Sequence, residues 1–151
     1  MPNWCEGKLK VRGTVENIKK FCSENLLSVD KEGNYVINFW FNSLGSIDDK
    51  RQCYIKGTRR GFVDRCYCEL ADYKKDDIVI LFIDARFAWG ISADELLEIC
   101  KKYSVDMKIY AFERGMEYNQ DIEIVNGEII KDDEIHFEDY NWECIDPEIG
   151  G

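Results

Sequence analysis

The sequence predicts an α+β fold, a ferredoxin-like two-layer sandwich with a mainly antiparallel sheet and two helices on one face. Three observations lead there. Two segments, residues 15–25 and 93–103, repeat apolar side chains every three or four positions, so each has one face to lay on a sheet. The segments around them alternate apolar with polar residues or run as short β-branched stretches, the pattern of strands. Their order is β-α-β, a weaker middle, then β-α-β-β.

In the first strand, residues 3–13, Cys5, Gly7, Leu9 and Val11 alternate with Glu6, Lys8, Lys10 and Arg12, which makes one face charged. Thr14 can cap the helix that follows, and Glu16 in its first turn complements the helix dipole. Val15, Ile18, Phe21 and Cys22 form its apolar face, and it should end near Asn25. A polar turn over residues 30–34 leads to Tyr35-Val-Ile-Asn-Phe-Trp-Phe41, a strand by its aromatic and β-branched content. Residues 42–52 read as a loop. Tyr54-Ile55 starts another strand, Lys56-Gly-Thr-Arg-Arg-Gly61 breaks it, and Arg65-Cys-Tyr-Cys-Glu-Leu70 resumes it.

A charged turn over residues 72–77 delivers the chain to Ile78-Val-Ile-Leu-Phe-Ile83, whose length and β-branching suit a buried strand. Phe87-Ala-Trp-Gly90 then turns the chain. Ser92 precedes Glu95 by three residues, the spacing of a capping box, with Ile91 and Leu96 at the staple positions around it. The helix from Ala93 to about Tyr103 buries Leu96, Leu97 and Cys100, and Lys101 and Lys102 sit at its C-terminal end, where the dipole favours cations. Residues 107–112 form a strand. Residues 122–131 are split by Asn126-Gly127, a two-residue hairpin turn that sets Val125 opposite Glu128 and Ile124 opposite Ile129, with Ile122, Ile124 and Ile129 facing the core.

With 151 residues, 45% apolar and 33% charged, the chain is one domain of ordinary globular composition, with an acidic C-terminal extension from about residue 132. No stretch approaches the roughly 18 consecutive apolar residues of a membrane span. The start lacks the basic and apolar regions of a secretion signal, so the expected location is the cytoplasm. Seven cysteines without a C-x-x-C pair read as reduced thiols rather than a disulfide framework. Cys66 and Cys68 point to one face of a strand, but no second pair and no nearby histidine completes a zinc site, so neither metal nor cofactor is expected.

The formal net charge of −10 is unevenly spread. Residues 113–151 hold 13 acidic and two basic side chains, while residues 1–112 hold 17 acidic and 18 basic ones. The acidic quarter repels nucleic acid and favours basic partners.

The start Met1-Pro-Asn-Trp-Cys5 with Lys8-Leu-Lys-Val11, the segment Lys56-Gly-Thr58, Phe87-Ala-Trp-Gly90 before a helix, and Glu113-Arg-Gly115 before an Asn-Gly hairpin together resemble the YubB-like ferredoxin-fold proteins of phages and plasmids. The tryptophans that usually flank Gly-Thr-Lys in that family are absent around Gly57-Thr58, and Gly90-Ile91 replaces a common Ser-Pro. The resemblance implies the fold and a mobile-element origin, and it carries no activity.

Three functional readings follow. A Cys-His hydrolase requires the single histidine, His136, to fold back onto a thiol, and no phosphate loop or dinucleotide motif is present. Asp132-Asp-Glu134 lacks calcium-loop spacing. Single-stranded nucleic acid could be held by Lys50, Arg51, Lys56, Arg59, Arg60 and Arg65 around Tyr54 and Phe62, unless this patch pairs with the acidic end of the same chain. The reading adopted is a non-catalytic accessory protein that binds a host or phage protein with a basic surface. Its surface would be Glu113, Glu117, Tyr118, Asp132, Asp133, Glu134, Glu138, Asp139, Tyr140 and Trp142, with Phe137 among them, in the manner of an anti-CRISPR or anti-restriction inhibitor of a nucleic-acid-binding defence enzyme.

Overall fold

A computed structural model describes residues 1–29, 32, 35–37, 46–49, 53–70 and 72–151. The elements in chain order are β1 (Trp4–Thr14), α1 (Val15–Asn25), β2 (Leu26–Val29), β3 (Tyr35–Ile37), β4 (Ser46–Asp49), β5 (Cys53–Ile55), β6 (Gly61–Glu69), β7 (Ile78–Ala88), α2 (Ala93–Tyr103), β8 (Asp106–Glu113), β9 (Tyr118–Val125), β10 (Glu128–His136) and α3 (Tyr140–Glu143). The polar turn apart from residue 32, the second half of the aromatic strand, and Lys50 and Arg51 lie outside the described residues.

The expected ferredoxin-like sandwich is corrected. The strands form one ten-stranded sheet in the order β10-β9-β8-β1-β7-β6-β5-β2-β3, with β4 also on β6, and every pairing is antiparallel. The molecule is dominated by its sheet. The extra width comes from β2, β3, β4 and β5, strands of three or four residues, too short to show a period in the sequence. At the other end, β9 and β10 run longer than residues 122–131, so Asp132, Asp133 and Glu134 lie inside a strand rather than in an extension.

The local signals were accurate. The Thr14 side chain accepts from the Asn17 amide at 3.1 Å, and Ser92 Oγ accepts from the Glu95 amide at 3.3 Å. The second half of the capping box does not form, because the Glu95 carboxylate instead accepts from the Arg59 amide at 3.0 Å. The hairpin register is Glu128 on Val125 and Ile129 on Ile124, and a bulge follows Ile129. Strand β7 continues to Ala88 and alternates, leaving Ile78 and Ile80 exposed, so it is covered on one face and not on both.

Odd-numbered residues of β1, with Leu81 and Ile83 of β7, face α1 and α2 and build the core with Ile18, Phe21, Leu96, Met107, Ile109, Ile122 and Ile124. Phe21 meets Tyr103 edge-on at 5.6 Å, joining the two helices. The opposite face carries Trp4, Glu6, Lys8, Lys10 and Arg12, and among the described residues α3 and the chain after it approach it. There Tyr140 donates to Asn119 Oδ1 at 3.2 Å, and the Gly151 amide reaches Trp4 O at 2.8 Å. No helix of the described residues is long and apolar enough to cross a membrane.

Candidate functional site

Strand β10 is the last in the sheet path, so among the described residues one of its edges is unpaired. Its pairing with β9 sets Asp132, Glu134 and His136 opposite Ile122, Gln120 and Tyr118 on the helix-covered face, and Asp133 opposite Asp121 on the other. Strand alternation therefore splits the acidic triplet between faces, which is why it cannot converge on a cation. Among the described residues no group of three or more His, Cys, Asp or Glu side chains is arranged to hold a metal. Asp132, Asp133 and Glu134 are exposed. After β10, α3 begins at the cap Asp139, and Trp142 stands 86% exposed.

Two of the predicted partner-binding residues face inward, which corrects that part of the expectation. Glu113 is 1% exposed, and its oxygens accept from the Gly115 and Met116 amides at 2.9 and 2.8 Å, so it closes the turn before β9. Tyr140 is 3% exposed and anchors α3 on Asn119; burial, then the Cys144 contact, push its phenol well above its ordinary range. Glu117, Glu138 and Asp139 are exposed, and Tyr118 is half-buried. Glu143 accepts from the Glu138 and Asp139 amides at 2.9 and 3.2 Å, a local arrangement that fixes the approach to α3.

The basic stretch does not form one surface. Tyr54, Phe62 and Arg65 belong to the open face, with Tyr54 and Phe62 in ring contact at 5.9 Å. Five other cations of that face are answered by carboxylates on neighbouring strands. Lys8 pairs with Asp84, Arg12 with Asp106 at 2.6 Å, Arg86 with Asp64 at 3.3 Å, Lys108 with Glu123 at 3.2 Å and Lys131 with Asp121 at 3.2 Å. Such cross-strand pairing removes the excess positive potential that tracking a phosphate backbone requires. Lys56 is exposed in the turn after β5, and Arg51 lies outside the described residues.

Arg59 and Arg60 lie elsewhere, on one wall of a cleft of about 430 Å³ whose other wall carries Tyr118 and Glu134. Residues 87–91 form its floor, and Glu95 opens into it. The floor is rigidly held. Buried Gln120 accepts from the Ile91 amide at 2.8 Å and donates to the Ile91 carbonyl at 3.1 Å. The Trp89 amide donates to Asn3 O at 2.9 Å, and Tyr118 OH donates to Trp89 O at 3.4 Å. Trp89 itself has φ 68° and is 55% exposed. For a bulky side chain that conformation costs roughly 1–3 kcal/mol and persists where the surroundings enforce it. Thr58 fixes the arginine turn by donating to Ile55 O at 2.7 Å and accepting from the Gly61 amide at 3.0 Å.

The charges of this cleft are unequally satisfied. Glu95 is engaged by the Arg59 amide, and Glu134 lies 2.6 Å from His136 Nε2. Neither the Arg59 nor the Arg60 side chain makes an ion pair among the described residues. The acidic end of the chain therefore does not neutralise these two arginines.

The thiols are placed for packing. All seven cysteines are buried and outside any disulfide. Burial, followed by Glu113, Glu6 and Glu134, pushes the Cys5 thiol up to about 12. Cys5 and His136 fall on one cross-strand row through Glu113 and Tyr118, three strand spacings or roughly 14 Å apart, too far for a nucleophile-base pair. Burial raises Cys22 most, and Cys66, Cys68 and Cys53 add to it, so these four thiols are neighbours that sequence spacing alone did not unite.

No family model matches this chain, and no curated protein and no solved structure matches it.

Proposed function

We propose that this chain is a non-catalytic binding protein of the cytoplasm that sets its acidic outer edge against the basic surface of another protein. The carrying observation is the edge of β10 that no described strand pairs, where Asp132 and Asp133 stand exposed; Trp142 of α3, which follows β10 in the chain, is exposed as well. Charge brings a basic partner into register and speeds its approach, while an exposed tryptophan supplies an anchor that can bury a large area on contact. A simple guard against edge-to-edge aggregation accounts for the charges but not for the tryptophan. Basic surfaces belong to proteins that grip nucleic acid, and the mobile-element resemblance makes a host defence enzyme the expected target. Seven cysteines without a disulfide suit a reducing compartment.

The test uses purified nucleic-acid-cleaving defence enzymes of a host, with the chain added as inhibitor. Inhibition should weaken with rising salt and fall about tenfold or more for the double variant Asp132→Lys, Asp133→Lys and for Trp142→Ala. Both sites lie outside the cleft, so folding and cleft geometry serve as controls. Equal inhibition by wild type and both variants, or none by wild type against any basic enzyme, overturns the reading.

A further inference from the structure

We propose that the cleft between Arg59-Arg60 and Tyr118-Glu134 binds a mononucleotide, its phosphate on the two guanidiniums and its base against the Trp89 ring. The inference does not depend on the acidic-edge reading.

Four observations converge on it. The two carboxylates at the cleft, Glu95 and Glu134, already have donors, whereas the two arginines have no anionic partner among the described residues. What the cleft lacks is an anion with several oxygens, and paired guanidiniums recognise phosphate through forked hydrogen bonds. Second, Trp89 lines the cleft and is half-exposed, and its left-handed backbone is bonded on one side to Asn3 and on the other to Tyr118. An aromatic fixed in this way is a stacking platform for a base, and stacking tolerates any base. Third, the volume of about 430 Å³ lies within the roughly 300–1,000 Å³ of small-molecule sites, larger than a bare phosphate needs. Fourth, the Gln120, Thr58 and Tyr118 hydrogen bonds already order the backbone of the floor and of the arginine turn, so ordering that backbone adds little to the cost of binding.

Charge also limits the ligand. Asp132, Glu134 and His136 flank the far wall, and the acidic edge beyond them repels a continuing polyphosphate backbone. A single nucleotide, free or at the end of a strand, fits this field better than the middle of a strand. The free amino groups of a base can still donate to the open lone pairs of Glu95 and Glu134.

Calorimetric titration of the full chain decides the matter, with nucleoside monophosphates, the unphosphorylated nucleoside, inorganic phosphate and a single-stranded hexanucleotide as probes. The monophosphate should bind one to one, about tenfold or more tighter than phosphate or nucleoside alone. Arg59→Ala with Arg60→Ala should weaken it about tenfold or more, and so should Trp89→Gly. Glycine suits the positive φ, so Trp89→Gly should melt no lower than wild type, and its loss of binding then reports the ring rather than unfolding. Tighter binding of the hexanucleotide identifies a strand end as the source, and equal or weaker binding identifies the free nucleotide. No heat with any nucleotide at about 1 mM, phosphate binding as tightly as the monophosphate, or unchanged binding in both variants overturns the proposal.

Discussion

Replacing Gln120 tests whether one buried amide holds the floor of the cleft. Gln120→Leu keeps the volume but strips the Ile91 amide and carbonyl of partners that lie 2.8 and 3.1 Å away, and removes the Cys5 thiol's acceptor at 3.5 Å. Two buried backbone groups left unmet at about 1–3 kcal/mol each give a loss of about 2–6 kcal/mol. With an unfolding entropy of about 2.1 cal/mol/K per residue over 151 residues, each kcal/mol lowers Tm by about 3 °C, so the variant should melt about 6–18 °C lower. Circular dichroism melts and urea titrations measure this directly. Gln120→Glu separates the two bonds. A carboxylate accepts from the Ile91 amide but cannot donate to the Ile91 carbonyl, so the folded state favours the protonated acid and its folded pKa rises above the unfolded value near 4.3. A raised folded pKa means the deficit is absent below about pH 4.3 and grows as pH climbs through the folded value, so the gap to wild type should widen from acid to neutral pH. If Gln120→Leu melts within about 2 °C of wild type, or Gln120→Glu shows a gap independent of pH, the amide is not what fixes residues 90–92.

Two further outcomes follow from the core. Phe21 is fully buried and meets Tyr103 edge-on, so Phe21→Ala should cost about 3–5 kcal/mol in urea unfolding, and a loss below about 1 kcal/mol means the helices do not pack through it. Burial raises the Cys5 and Cys100 thiols to about 12 and Cys68 to about 11, against an ordinary 9.0. The unfolded chain therefore releases those protons first, so their contribution is intact below about pH 9 and is lost as pH rises toward 12. Urea midpoints should fall across that interval and fall less steeply in Cys100→Ala; a midpoint flat to about pH 10.5 contradicts this assignment.

What the sequence disclosed was local. The caps at Thr14 and Ser92 and the Asn126-Gly127 turn are set by a few adjacent residues, and each appears where its chemistry places it. Sheet width was hidden because β2, β4 and β5 are only three or four residues long, and a period of two cannot be distinguished from chance over so few positions. The cleft was hidden for a different reason. Its walls come from residues near 60, 90, 120 and 134, and nothing in any one segment says that they meet. The one local trace was Trp89-Gly90, which signals a turn without revealing that the tryptophan itself takes the left-handed conformation.

The same geometry explains why opposite charges in the sequence did not find each other. Arg59 and Arg60 precede β6, and Glu134 belongs to β10; five strand spacings, roughly 24 Å along a flat sheet, separate the two strands. Twist and the turn after β5 bring the arginines over the end of β1 and β7, close enough to share a cleft with Glu134 but not to form an ion pair. The 58–60 turn is held by the Thr58 hydrogen bonds and by the Glu95 carboxylate on the Arg59 amide. Those bonds are local and form with the turn itself, whereas the ion pair would be long-range, exposed and worth about 0–1 kcal/mol. The local bonds prevail, and the fold is left with cations on one wall and anions on an outer edge, each facing solvent that a ligand or partner of opposite sign can displace.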